Sequence, residues 1–231
     1  MLDYIPRILE GALLTVAVSL LSLAVSIVLG LLGASAKLSG HPVLSALATV
    51  YTTVVRGVPE LVLMLLVFYG GTIGLTHLLE TLGHTEAVDI NPFVAGVGTI
   101  GFIYGAYMTE TFRGAMLAIP RGQMEAAWAF GMGRLQTFFR ITLPQMVRYA
   151  LPGFTNNWLV LIKSTALVSL IGLQDMTYLA KQASAATREP IFFFVFVAAL
   201  FLVYTSASLW VLRRLDERFS LGVRRATSWQ S

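Results

Sequence analysis

The chain has 231 residues and a mass of 25.2 kDa; it is 56% hydrophobic and only 12% charged, where a soluble domain carries about a quarter charged residues. Low hydrophobicity is the signature of intrinsic disorder, so disorder is excluded; the absence of Cys removes disulfide scaffolds, zinc–thiolate sites, iron–sulfur clusters and thiol nucleophiles. A net charge of +4 and a pI of about 9.6 do not call for nucleic acid, because membrane topology accounts for where the charges lie.

In chain order, residues 11–36 carry no Asp, Glu, Lys or Arg, and four further apolar segments follow at about 58–79, 90–112, 150–174 and 190–212. Roughly 20 residues at about 1.5 Å each cross a hydrocarbon core of about 30 Å, so each segment is expected to span a membrane. The first is too long, and too acidic at its front (Asp3, Glu10), for a cleaved signal peptide. Alternating ten-residue segments of a transmembrane barrel are absent. The expected fold is an all-α integral membrane protein of five spans in one domain over residues 1–231. Gly30, Gly33, Gly70, Gly71, Gly96, Gly98 and Gly101 would let its helices approach closely.

Lys and Arg set the expected orientation. Lys37 and Arg56 lie between the first two spans, Arg113, Arg121, Arg134, Arg140 and Arg148 between the third and fourth, and Arg213, Arg214, Arg218, Arg224 and Arg225 in the tail. The opposite side holds Arg7, Lys181 and Arg188, while the loop around Glu80, Glu86 and Asp89 has neither Lys nor Arg. The positive-inside rule then puts the N-terminus outside and the C-terminus in the cytoplasm.

The connection between the third and fourth spans, about 119–146, is rich in helix formers from Met124 to Phe139 and divided by Gly131 and Gly133, with Pro120 and Pro144 at the expected helix boundaries. A short helix here, with Glu125 near its start, is a knob for a soluble partner. The plainer reading is an interfacial helix laying Trp128, Phe130, Phe138 and Phe139 in the headgroups.

The pattern Glu125-Ala126-Ala127, Gly131, Ile141-Thr142-Leu143-Pro144 resembles the E-A-A-x3-G-x9-I-x-L-P motif of ABC importer permeases, matching every fixed position. Arg56-Gly57-Val58-Pro59 is similar to the R-G-x-P signature of the polar amino-acid permeases, and Glu110 to Gly114 to their E-x-x-R-G segment. Many of those permeases read K-D-T-S after the loop; Lys163-Ser164-Thr165-Ala166 instead points to the Q-type subgroup of histidine/lysine/arginine/ornithine and arginine/opine systems.

The resemblance implies a type I ABC importer fold in a bacterial inner membrane. Glu125, Ala126, Ala127, Gly131, Ile141, Leu143 and Pro144 would couple it to an ATPase. The implied partners are a second permease (an M-type heterodimer, or a homodimer), two ATP-binding subunits and a solute-binding protein, with an amino-acid substrate and membrane lipid and no nucleic acid. No G-x4-G-K-[ST] loop occurs, so ATP and Mg would be used by a separate chain; this chain is expected to be no enzyme and to bind neither cofactor nor metal.

Three acids at span edges, Glu60, Glu110 and Asp175, are candidate ligands for a cationic substrate. An intramembrane carboxylate costs about 2.5–3.5 kcal/mol on insertion scales and therefore pairs with a charge or faces a cavity. Each has a structural alternative: Glu60 beside Arg56, Glu110 beside Arg113 at i,i+3, and Asp175 with Lys181 six residues away. Tyr107, Ser169 and Thr165 are candidate cavity-lining residues at similar levels, Lys163 a brace for the fold or a partner, and Phe192 to Phe194 with Phe196 a lipid-facing cluster. The function expected is import of polar, principally basic, amino acids. A glutamine/glutamate-type importer, an ion-coupled secondary transporter and a membrane anchor for an ATPase are the alternatives.

Overall fold

The computed structural model describes residues 2–82 and 90–219. A 3-10 turn, Leu2–Tyr4, leads into α1 (Ile5–Leu38), then α2 (Pro42–Gly57) and α3 (Glu60–Leu65), which continues through a π-helical stretch Leu66–Gly70 into α4 (Gly71–Thr81). Next come α5 (Pro92–Leu117), α6 (Arg121–Ala129) and α7 (Arg134–Thr137), the last running through a π-helical stretch Phe138–Thr142 into α8 (Leu143–Ser164). A 3-10 stretch Thr165–Ile171, α9 (Met176–Thr187) and α10 (Pro190–Phe219) complete a chain with no strand among the described residues. Glu86, Asp89, Arg224 and Arg225, part of the charge asymmetry, lie outside the described residues.

α1 shows how membrane sequence logic inverts that of a soluble helix. Its inward stripe is small or polar (Gly11, Thr15, Ser19, Ser22, Ser26, Gly30), while Leu13, Leu20, Val28 and Leu32 face outward. Lipid tails are as apolar as leucine, so helices associate through close packing and not through hydrophobic exclusion. The stripe packs against α5: a Cβ on Gly30 would lie 2.5 Å from the Met108 Cβ, and one on Gly101 2.6 Å from that of Val25. Of the stripe's hydroxyls, Thr15 and Ser26 turn back to their own helix, to the Gly11 carbonyl at 3.0 Å and the Leu23 carbonyl at 2.8 Å, while Ser22 donates to the Val97 carbonyl at 3.3 Å and Ser19 pairs with the Tyr204 hydroxyl at 2.6 Å.

Cross-helix contacts fix the direction of each helix. Ser22 meets Val97, Val25 meets Gly101 and Lys37 meets Glu110, so α1 and α5 run parallel. Glu60 bonds Tyr104 and Gly71 comes nearest Ile90, so the path through α3 and α4 runs against them. α8 also runs against α5, with Asn157 on Thr111 and Ser164 on Tyr104. α10 runs with α1, since Phe193 stacks on Tyr4 and Tyr204 bonds Ser19.

Among the described residues, four helical stretches are long and apolar enough to cross a membrane: Leu2–Leu38, Glu60–Thr81, Arg134–Ile171 and Pro190–Glu217. The expected third span is α5, 26 residues long. Protein surrounds much of it: Gly96, Gly101 and Gly105 bring the side chains of Val168, Val25 and Tyr51 against its backbone. Tyr104, Ala106, Met108 and Thr109 are buried.

Elsewhere the structure corrects element boundaries. α2 was not anticipated; at 16 residues, with Lys37 before it and Arg56 in its last turn, it is too short and too charged at its edges to read as a span. Pro144 does not close a helix: it sits in the first turn of α8, where its missing amide is tolerated, directly after a π-helical stretch. The expected span 150–174 ceases to be α-helical at Ser164 and turns at Gly172, where φ is +88°, a conformation available to glycine at little cost. Phe193, expected to face lipid, is buried against Tyr4 and Ile8, whereas Phe192 and Phe194 are exposed.

Candidate functional site

α3 begins directly after Val58 and Pro59, and the break turns Glu60 at its first position toward the middle of α5. Glu60 Oε1 accepts from the Tyr104 hydroxyl at 2.9 Å, and Oε2 from the Ser164 hydroxyl at 2.5 Å. Tyr104 and Ser164 are themselves 2.7 Å apart, closing a triangle that joins α3, α5 and α8. No ion pair links Glu60 to Arg56 among the described residues; the Arg56 guanidinium lies 5.3 Å from the Tyr107 ring centroid instead, and Tyr107 stacks near Tyr104 at 5.6 Å. Lys163, next to buried Ser164, is exposed and makes no hydrogen bond or ion pair within the described residues. The cluster therefore presents a carboxylate held only by hydroxyls, with the exposed Arg56 over the neighbouring Tyr107 ring and the exposed Lys163 adjacent in sequence to Ser164. This is the arrangement a charged, polar solute needs within an apolar slab.

The larger grooves offer no such partners. One between α1, α2 and α3, about 720 Å³, is lined by residues such as Leu29, Leu32, Leu47, Val54 and Leu63. Another, about 320 Å³, lies beside Phe112, Leu143, Met146 and Leu212 and is equally apolar. A zwitterion would lose its hydration in either without compensation.

The other two acids are already engaged. Glu110 accepts from Arg113 Nε at 3.0 Å, the i,i+3 pair expected, and from Lys37 Nζ at 2.5 Å, a partner 73 residues away that spacing could not reveal. Asp175, expected as a ligand, is fully buried as the N-cap of α9, accepting from the amides of Tyr178 at 2.9 Å and Thr177 at 3.2 Å. Burial pushes its carboxyl up to about 6 while those amides pull it down. The missed signal was an Asp directly before a helical run, an N-cap pattern. Asp175→Ala is expected to lower folding stability by about 0.5–2 kcal/mol, read as a lower Tm, with the ratio of basic to neutral substrate uptake unchanged. A changed ratio would restore the ligand role. Thr165 donates to the Ile162 carbonyl at the end of α8, and Ser169 to the Ala166 carbonyl of its own stretch.

At the other end of α5, three residues lead to α6, which carries Glu125, Ala126 and Ala127. Gly131 closes it with φ +78°, and a Cβ there would meet nothing within 4 Å, so its place is demanded by backbone conformation and not by internal packing. Ile141, Leu143 and Pro144 lie in the π-helical stretch and first turn of α8 that return the chain to the bundle. Phe130 is 89% and Leu135 76% exposed, and Trp128 and Phe139 are also exposed. An apolar surface of this kind beside Arg121, Arg134 and Arg140 marks a contact surface.

Comparison with known proteins bears on the same regions. Residues 26–221 match the family described as binding-protein-dependent transport system inner membrane component. The chain is 51% identical over 219 residues, 95% of its length and 96% of the relative's, to the histidine/lysine/arginine/ornithine transport system permease protein HisQ of Salmonella typhimurium (strain LT2). It is 39% identical to the octopine transport system permease protein OccQ of Rhizobium radiobacter, with 94% and 92% of the two chains covered. Its fold is similar to a solved structure described as an amino acid ABC transporter with histidines, with a TM-score of 0.79, 29% identity, and 94% and 96% coverage.

Proposed function

The chain belongs to the binding-protein-dependent transport system inner membrane component family, and from that premise we propose that it moves basic amino acids or opines through a pathway lined by Glu60, Tyr104, Tyr107 and Ser164. It is a transport permease subunit of an ABC importer in an inner membrane, not an enzyme, and its family works with an ATPase and a binding protein. Relatives named for histidine, lysine, arginine, ornithine and octopine favour the basic and opine class over glutamine. The observation that carries the site is the Glu60 carboxylate held by two hydroxyls and no cation. A permeant guanidinium or ammonium supplies the missing charge, and the exposed Lys163 and Arg56 suit a carboxylate.

Two ATP-binding subunits dock on the α6 knob, and a second permease, M-type or a copy of this chain, closes the pathway. Alternation between outward and inward states is a rigid-body change biased by the ligands on the two faces. ATP and Mg act on the partner ATPase. The reading is tested by ATP-driven uptake of arginine or lysine into sealed vesicles.

The alternating helix directions and the Lys/Arg asymmetry support five crossings, with the N-terminus outside and the C-terminus in the cytoplasm. Single cysteines replacing Leu82 and Glu217 in this Cys-free chain are expected to react with an impermeant reagent from opposite sides. Reaction of both from one side would overturn the five-span path.

A further inference from the structure

We propose that Lys37 is a positioning residue that carries movement of α6 to Glu60, an inference resting on the importer reading above. The Lys37 side chain is only 11% exposed, and its ammonium joins three helices. It extends from the last turn of α1, donates to Thr52 Oγ1 of α2 at 2.7 Å, and pairs with Glu110 Oε1 of α5 at 2.5 Å. Glu110 Oε2 holds Arg113, so both carboxylate oxygens are committed to this junction. The junction lies two turns before the end of α5, and α6 starts four residues beyond that end. On its other side, α2 leads in one turn from Thr52 to Arg56 and then, past Pro59, to Glu60.

α2 also meets α5 elsewhere: the Tyr51 ring packs on that of Phe102 at 4.8 Å, Arg56 lies over the Tyr107 ring at 5.3 Å, and Val55 is buried. Tyr51 donates to the Phe102 carbonyl at 2.5 Å, but the face of α2 toward α1 and α3 borders the apolar groove of about 720 Å³. Those contacts reach α5 between Phe102 and Tyr107; Lys37 adds a charged tie at Glu110, the one nearest to α6. Displacement of α5 by the α6 knob therefore drags α2 and moves Glu60 relative to Tyr104 and Ser164. Without the ammonium, α5 still moves and α2 lags, so ATP is hydrolysed without moving the substrate site.

The test uses the assembled complex in vesicles, with arginine-loaded binding protein, reading substrate transported per ATP hydrolysed. Lys37→Met is expected to lower that ratio about tenfold, within the range typical of coupling between sites, and Lys37→Arg to retain most of it. Thr52→Val removes the α2 branch, along with the hydroxyl's own bond to the Thr49 carbonyl, at nearly constant volume and is expected to give an intermediate loss. Wild-type ratios in both Lys37→Met and Thr52→Val would overturn the proposal. So would loss of folded complex in Lys37→Met together with a wild-type ratio in Thr52→Val, which is the outcome of a purely structural brace. A wild-type complex whose ATP hydrolysis ignores the loaded binding protein would instead remove the importer reading itself.

Discussion

Gly131→Asp and Glu125→Lys are expected to leave the chain inserted and folded while lowering binding-protein-stimulated ATP hydrolysis by about tenfold or more, the equivalent of about 1.4 kcal/mol of lost docking. The reason is local. Gly131 takes φ +78° at the end of α6, a region that costs a residue with a Cβ roughly 1–2 kcal/mol, and a side chain there points into open space. The cost thus falls on the shape and charge of the exposed knob, not on the bundle. Glu125→Lys reverses the charge in the middle of α6 on a surface already carrying Arg121, Arg134 and Arg140. Hydrolysis assays on detergent-purified complex, with yield as the control for folding, decide the matter. Normal stimulation in both variants would remove α6 from the coupling path.

Glu60→Gln is expected to separate basic from neutral substrates. The substitution keeps the side chain's size and one acceptor oxygen for either the Tyr104 or the Ser164 hydroxyl, its amide nitrogen donating to the other, but removes the charge a cationic side chain would meet. Leaving that cation unpaired in a partly desolvated site costs about 2–5 kcal/mol, so uptake of arginine or lysine should fall by about 30-fold or more. Uptake of a neutral amino acid delivered by the same binding protein should change little. Equal losses for both classes would mean that Glu60 serves the fold or the α-ammonium common to all amino acids.

The parts of this molecule that were legible in the sequence are those encoded within a short window. The short helix α6 and its turn could be read because the motif's fixed positions fall between Glu125 and Pro144, and the structure puts Gly131 in the conformation its type demands. The apolar segments were legible because lipid imposes composition residue by residue. α2 was not: it is neither apolar enough for a span nor polar enough for a loop, and only its contacts with α1 and α5 explain it. The partners of the acids were hidden for a related reason. Glu60 meets Ser164 across 104 residues and Glu110 meets Lys37 across 73, whereas the local neighbours were visible and suggested Arg56 for the first and Arg113 for the second. Only the second suggestion matches the geometry. Asp175 shows the opposite limit. Its partners are two and three residues away, but backbone amides leave no trace in a charge pattern.

The most direct measurement of the central claim is accumulation of labelled arginine in proteoliposomes that hold this chain with its partner permease and ATPase, at equal pH and without any ion gradient. Enclosed ATP and external binding protein should together drive arginine above its outside concentration, with omission of either abolishing it. Accumulation that needs an imposed proton or sodium gradient and ignores ATP would contradict the account and make the chain a secondary transporter.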